Sequence, residues 1–142
     1  MKTLSLYFDG SYGPKFPDGT AAYAFSIPEF GVEDSGKIGS GPGYSVNYAE
    51  FYALHKGLSK VEQLVFPEHA SVFANGDSQL VINIMKGRWR ASKSKLYYPA
   101  YELVIETYLS LSKKGINVNY NWIPREQNTK TDKLSKYQNF SS

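Results

Sequence analysis

The order in which this chain changes its hydrophobic period constrains its fold more than any single motif. Residues 3–9 alternate: Leu4, Leu6 and Phe8 fall on one side, Thr3, Ser5, Tyr7 and Asp9 on the other. A period of two marks a strand with one buried face. Gly10 and Ser11 are expected to end it. TAAYAFSIP (20–28) reads as a second strand closed by Pro28, and VEDSGKIGS (32–40) as a third after the Phe30–Gly31 turn. After the loop GPGYSV the period becomes helical from Asn47 to about Lys60. A short strand is expected at 70–76, a helix over roughly 78–87 stopping near Gly87, and a longer one over about 98–114 ended by Gly115. INVNYNWIP (116–124) is the last strand, and a Lys-rich helix from Thr129 closes the chain. An antiparallel start followed by strand–helix–strand crossovers predicts an α/β fold, a mixed sheet with helices on its faces.

At 142 residues the chain is expected to be a single domain, 1–142, able to bury a core. No run approaches the roughly 18 apolar residues of a membrane helix, and no signal-peptide pattern opens the sequence. The expectation is a soluble, cytoplasmic protein away from membranes. With no cysteine, disulfides and thiolate metal sites are excluded. The net charge of +3 hides an asymmetry. Residues 1–85 carry five Lys/Arg and nine Asp/Glu, whereas residues 86–142 carry eleven and four. Between Ser78 and Tyr101 there is no acid, while Lys86, Arg88, Arg90, Lys93 and Lys95 surround Trp89. Such a stretch suits a nucleic-acid backbone, and equally a solvated basic loop.

Four acids stand at special places. Asp9 lies at the tip of a strand that should be central, where open α/β sheets bind ligands; it also fits an Asp-Gly-Ser turn. Glu50 fits a capping box with Asn47 as N-cap. Yet it also begins the stripe Glu50, Ala53, Leu54, Gly57, Leu58 and Val61, and a carboxylate on a core-facing stripe is costly without a compensating cation. Asp77 joins a strand end to a helix start and fits an N-cap. Asp132 fits a surface pair with Lys136. Each has an ordinary explanation, but in a mixed sheet their positions can converge on one edge. Clustered carboxylates repel one another, divalent cations remove that cost, and oxygen-only ligands suit Mg²⁺ or Mn²⁺. Two such ions about 4 Å apart form a clamp for phosphodiester hydrolysis.

YFDGS, NYAEFYAL, GDSQLVINIMKG and WIPREQNTKTDKLS occur in that order. Together, from about Leu4 to Ser135, they resemble the type 1 ribonucleases H. The resemblance implies a five-stranded mixed sheet with three antiparallel strands first, and Mg²⁺-dependent cleavage of the RNA strand of RNA–DNA hybrids by a monomer, leaving 3′-hydroxyl and 5′-phosphate ends. It implies that Asp9 bridges two Mg²⁺ ions (or Mn²⁺ in their place), that Glu50 and Asp77 complete one ion's shell, and that Asp132 helps hold the other beside the attacking water. Asn47 and Gln79 match positions that contact the hybrid's minor groove. Ser45 matches a position that binds a DNA-strand phosphate. Trp89 either stacks on a DNA-strand sugar or is a core tryptophan under the following helix.

Some features depart from the family pattern. The basic stretch is too short for the extra helix and basic protrusion of some bacterial members. Arg125 and Glu126 occupy a loop that often holds a histidine, so Arg125 is a candidate for phosphate binding or release, or a partner of Glu126. His55, within the first helix, and His69, expected in a turn, read as structural or solvated. Thr131 replaces a common alanine. Two other classes stay in view: a non-catalytic nucleic-acid-binding module, and a junction resolvase or integrase-like strand transferase on the same scaffold. The four acids count against the first, and GDSQLV with Asn47 fits a hybrid reader better than the second.

Overall fold

A computed structural model describes residues 2–13, 19–64 and 69–128. Its elements are β1 (Lys2–Gly13), β2 (Thr20–Ile27), β3 (Val32–Ser40), α1 (Val46–Leu64), β4 (His69–Gly76), α2 (Gln79–Met85), α3 (Tyr98–Lys113) and β5 (Asn117–Trp122). Short 3₁₀ turns cover Pro28–Phe30 and Arg125–Gln127. One five-stranded sheet has the order β3-β2-β1-β4-β5. β2 pairs antiparallel with β1 and β3, while β4 pairs parallel with β1 and β5. This is the mixed sheet expected, with the antiparallel strands first. No helix among the described residues is long and apolar enough to cross a membrane.

The alternation of β1 sends Leu4, Leu6 and Phe8 into the core, where they meet Phe51, Leu54, Leu58 and Val61 of α1. Each is at most 1 % exposed, so each contributes about 1.5–3 kcal/mol of transfer free energy. The predicted stripe on α1 holds throughout: Glu50, Ala53, Leu54, Gly57, Leu58 and Val61 are all buried. α3 lies against α1 and adds Val104 and Leu111 to the same core.

Several boundaries differ from expectation. β1 does not stop at Gly10 and Ser11; its pairing with β2 runs on to Gly13–Thr20. What stops near Asp9 is the parallel ladder with β4, whose last pair is Tyr7–Asn75. α1 runs to Leu64 rather than Lys60. β4 begins at His69, so that residue is in a strand and not a turn. α3 ends as predicted before Gly115, whose φ of 79° is the left-handed conformation that glycine tolerates best. His55 is structural: its Nδ1 donates to Thr107 Oγ1 at 2.8 Å, because that hydroxyl gives its own proton to the Leu103 carbonyl. Burial accordingly lowers the His55 pKa.

Candidate metal centre

Three of the four acids meet. Asp9 comes from β1, Glu50 from the second turn of α1, and Asp77 from the residue after β4. Each offers a carboxylate oxygen, and these atoms all lie within 4.8 Å of one another. Asp9 is 1 % and Glu50 6 % exposed. Asp132 and Thr131 lie outside the described residues.

The ordinary explanations of Glu50 and Asp77 fail on local geometry. Ser45, not Asn47, caps α1: its hydroxyl accepts from the Tyr48 N–H at 3.1 Å, and its carbonyl from the Ala49 N–H. Glu50 is therefore not part of a capping box. Ser78, not Asp77, caps α2, accepting from the Val81 N–H at 3.3 Å. A Ser N-cap satisfies an orphan amide as well as Asp does, which releases Asp77 to face the other acids.

Gly10 is what lets α1 approach this closely. A Cβ there would lie 2.2 Å from the Ala49 carbonyl carbon and 2.3 Å from the Glu50 nitrogen. The Gly10 N–H in turn hydrogen-bonds the Glu50 carboxylate.

Burial, then the charge of Asp9 and its hydrogen bond with the Glu50 carboxyl, then the charge of Asp77, hold Glu50 well above the usual carboxylate range, against the opposing pull of the Gly10 N–H. Glu50 Oε2 is buried with no hydrogen-bond partner. A buried carboxylate oxygen without a donor is destabilising, and a hard cation supplies what it lacks. The donor set is all oxygen, with no His or Cys, which matches the chemistry of Mg²⁺ or Mn²⁺. The residues fit the ions.

The raised pKa has a consequence for stability. The folded protein keeps the Glu50 proton when the unfolded chain, with an ordinary pKa of about 4.3, has released it. That contribution is fully present below about pH 4.3 and is lost as pH rises through the folded pKa. Glu50→Gln removes the titration. In EDTA the melting temperature of Glu50→Gln should therefore gain on wild type as pH is raised from 4 to 8. A difference independent of pH would contradict the assignment.

The other predicted residues are placed around this centre as follows. Arg125 reaches it directly, its Nε 3.8 Å from Asp77 Oδ2, with the side chain largely exposed. It pairs with Asp77 rather than Glu126. Ser45 and Asn47, both half-buried, lie in the entry to α1 and its first turn, ahead of Glu50. Gln79 is the exposed first residue of α2, two positions after Asp77. Trp89 lies past the opposite end of α2 and is 49 % exposed, so it is not a core tryptophan. Lys86, Arg88, Arg90, Lys93 and Lys95 beside it are exposed as well.

Two residues that the motifs do not single out also touch the site's frame. Trp122 Nε1 donates to the Asp77 carbonyl at 3.1 Å, and Asn128 Nδ2 donates to the Phe8 carbonyl at 3.0 Å. Trp122 and Asn128 both fall inside WIPREQNTKTDKLS, a motif whose resemblance gives neither of them a role.

The same sheet order and helices recur in solved ribonuclease H1 structures. RNase H1 from Halobacterium salinarum NRC-1 superposes with a TM-score of 0.74 at 19 % identity, over 99 % of this chain and all of that one. LC11-RNase H1, solved in complex with an RNA/DNA hybrid, gives 0.74 at 24 %, over 92 % of each chain. The fold is thus that of the type 1 ribonucleases H. The chain itself belongs to the reverse transcriptase-like family, which it matches over residues 8–138. The bifunctional protein Rv2228c of Mycobacterium tuberculosis is 31 % identical over 138 residues, 95 % of this chain and 35 % of the relative. The chain therefore spans about a third of the length of the curated relatives it matches.

Proposed function

We propose that residues 1–142 form a catalytic domain that hydrolyses the RNA strand of RNA–DNA hybrids with divalent cations, leaving 3′-hydroxyl and 5′-phosphate ends. The observation that carries this reading is the convergence of Asp9, Glu50 and Asp77, three buried or nearly buried carboxylates with ligand atoms within 4.8 Å. A fold gains nothing from such a cluster unless cations fill it. Ions bound there supply positive charge to the phosphate during in-line displacement.

The chain's own residues do the rest. Asp9, Glu50, Asp77 and Asp132 hold the cations. Glu50 also accepts from the ribose 2′-hydroxyl, the group that separates RNA from DNA. Asn47 and Gln79 carry both donors and acceptors, which suits base edges in the minor groove. Ser45 uses its hydroxyl oxygen to cap α1 and keeps its proton for a phosphate. The Arg125–Asp77 pair, being exposed on the arginine side, contributes little stability, about 0–1 kcal/mol. Arg125 is thus available to bind the scissile phosphate or to ease its release. Trp89 stacks on a sugar of the DNA strand while Lys86, Arg88 and Arg90 reach phosphates.

The test is a gel assay on an end-labelled hybrid with Mg²⁺, with Mn²⁺ and with EDTA. Cleavage is expected in the RNA strand only, with either ion and not in EDTA. Equal cleavage of double-stranded RNA or of a four-way DNA junction would point to another nuclease on this scaffold. An inert protein that still binds hybrid would mean a non-catalytic module.

A further inference from the structure

Asp9 and Asp77 each lie two residues beyond the last pair of the parallel ladder, Tyr7–Asn75. Backbone pairing between β1 and β4 therefore ends before the two carboxylates are reached. We propose that the segment from Trp122 to Asn128 acts as a clasp that fixes their spacing, with Trp122 and Asn128 as positioning residues for the cation site. The proposal rests on reading the triad as a cation site.

Three hydrogen bonds make the clasp. The Ile123 N–H donates to the Gly76 carbonyl at 2.9 Å, extending β5 along the end of β4. Trp122 Nε1 then takes the next carbonyl, that of Asp77, at 3.1 Å. Six residues on, after the 3₁₀ turn Arg125–Gln127, Asn128 Nδ2 takes the carbonyl of Phe8, the residue before Asp9, at 3.0 Å. One short segment thus holds both acid-bearing segments, through two side-chain donors and one backbone N–H.

Neither side chain is placed well for stability alone. Trp122 is 46 % exposed, so much of its ring gains nothing from burial, yet its N–H is engaged. Asn128 is 2 % exposed, and its Oδ1 is buried with no hydrogen-bond partner. Leaving that acceptor unsatisfied is costly, and an apolar residue of similar shape would avoid the cost. What only a donor at 128 provides is the bond to Phe8. Partners that orient ligands from outside the ligand set commonly control metal affinity in this way.

Calorimetric titration of the full chain with Mg²⁺ tests the clasp, alongside thermal melts in EDTA. Trp122→Phe and Asn128→Ala should each weaken Mg²⁺ binding about tenfold, and the double variant hardly more than the worse single one, because one open bond already frees the spacing. Trp122→Phe should do so with its melting temperature in EDTA nearly unchanged, a split that a purely structural role does not produce. If Asn128→Ala does not fold, Trp122→Phe decides alone. Wild type and a folded Trp122→Phe binding Mg²⁺ within twofold of each other would overturn the clasp. A wild type that takes up no Mg²⁺ would instead remove the cation-site reading, and the clasp with it.

Discussion

Asp9→Asn should abolish hybrid cleavage, by about a thousandfold or more, while raising the melting temperature of the protein in EDTA. The two effects have one cause. Asp9 is 1 % exposed and shares a 4.8 Å cluster with two other acids. Without cations its charge is a liability, and it is among the reasons Glu50 holds its proton. Two unit charges about 4 Å apart interact by roughly 4 kcal/mol at an effective dielectric of 20. Glu50 avoids much of that by staying protonated, so the amide should gain about 1–2 kcal/mol, seen as a rise of about 3–6 °C. The same substitution removes an anionic oxygen from the cation site. A thousandfold loss corresponds to about 4 kcal/mol of transition-state stabilisation, a reasonable share for one carboxylate of the proposed cation site. Mg²⁺ should raise the melting temperature of wild type and not of Asp9→Asn. Wild-type cleavage by the variant would refute the cation assignment, and a lower melting temperature in EDTA would refute the account of repulsion.

Opposite movements of stability and activity are expected where a fold keeps an unfavourable charge arrangement for function. That cost is also why the site was legible. Glu50 stood out because a carboxylate opened an otherwise apolar stripe, and a helix gains nothing by burying one. Asp9 stood out because the alternation of β1 made the strand central and left an acid at its tip. The parts read correctly are those in which a few neighbouring residues carry the energetic signal: strand alternation, the stripe on α1, and the order of elements that makes a mixed sheet.

What the sequence did not reveal depends on contacts distant along the chain. Gly10 and Ser11 look like breakers, and nothing local says that β2 will pair past them to Thr20. Ser45 and Asn47 are both good caps, as are Asp77 and Ser78. Propensity does not choose between such neighbours, and tertiary packing does. Trp122 and Asn128 act on the carbonyls of residues 45 and 120 positions away. A side chain that donates to a distant backbone leaves no periodic trace. In each case the missing information is where two segments meet, which composition and spacing do not carry.

The close seat of α1 on β1 gives the second large effect. Gly10→Ala should cost about 3 kcal/mol or more and lower the melting temperature by about 10 °C. Its φ is not among the positive glycine values, so backbone strain is not the reason. The reason is contact: the added methyl would sit 2.2–2.4 Å from three backbone atoms of Ala49 and Glu50. Backbone cannot swing aside as a side-chain terminus can. Relief requires α1 to retreat by about an ångström, which strips packing from Leu6, Phe8, Phe51 and Leu54 and carries Glu50 away from Asp9. Activity should therefore fall even at temperatures where the variant remains folded, with weaker Mg²⁺ binding as the direct readout. Gly43→Ala is the matched control. A methyl there meets nothing within 4 Å, and its φ is also outside the positive range, so its stability should stay within about 0.5 kcal/mol of wild type. If Gly10→Ala melted within 2 °C of wild type and bound Mg²⁺ as tightly, α1 would not be seated on β1 as described, and the geometry that brings Glu50 to the other two acids would have to be abandoned.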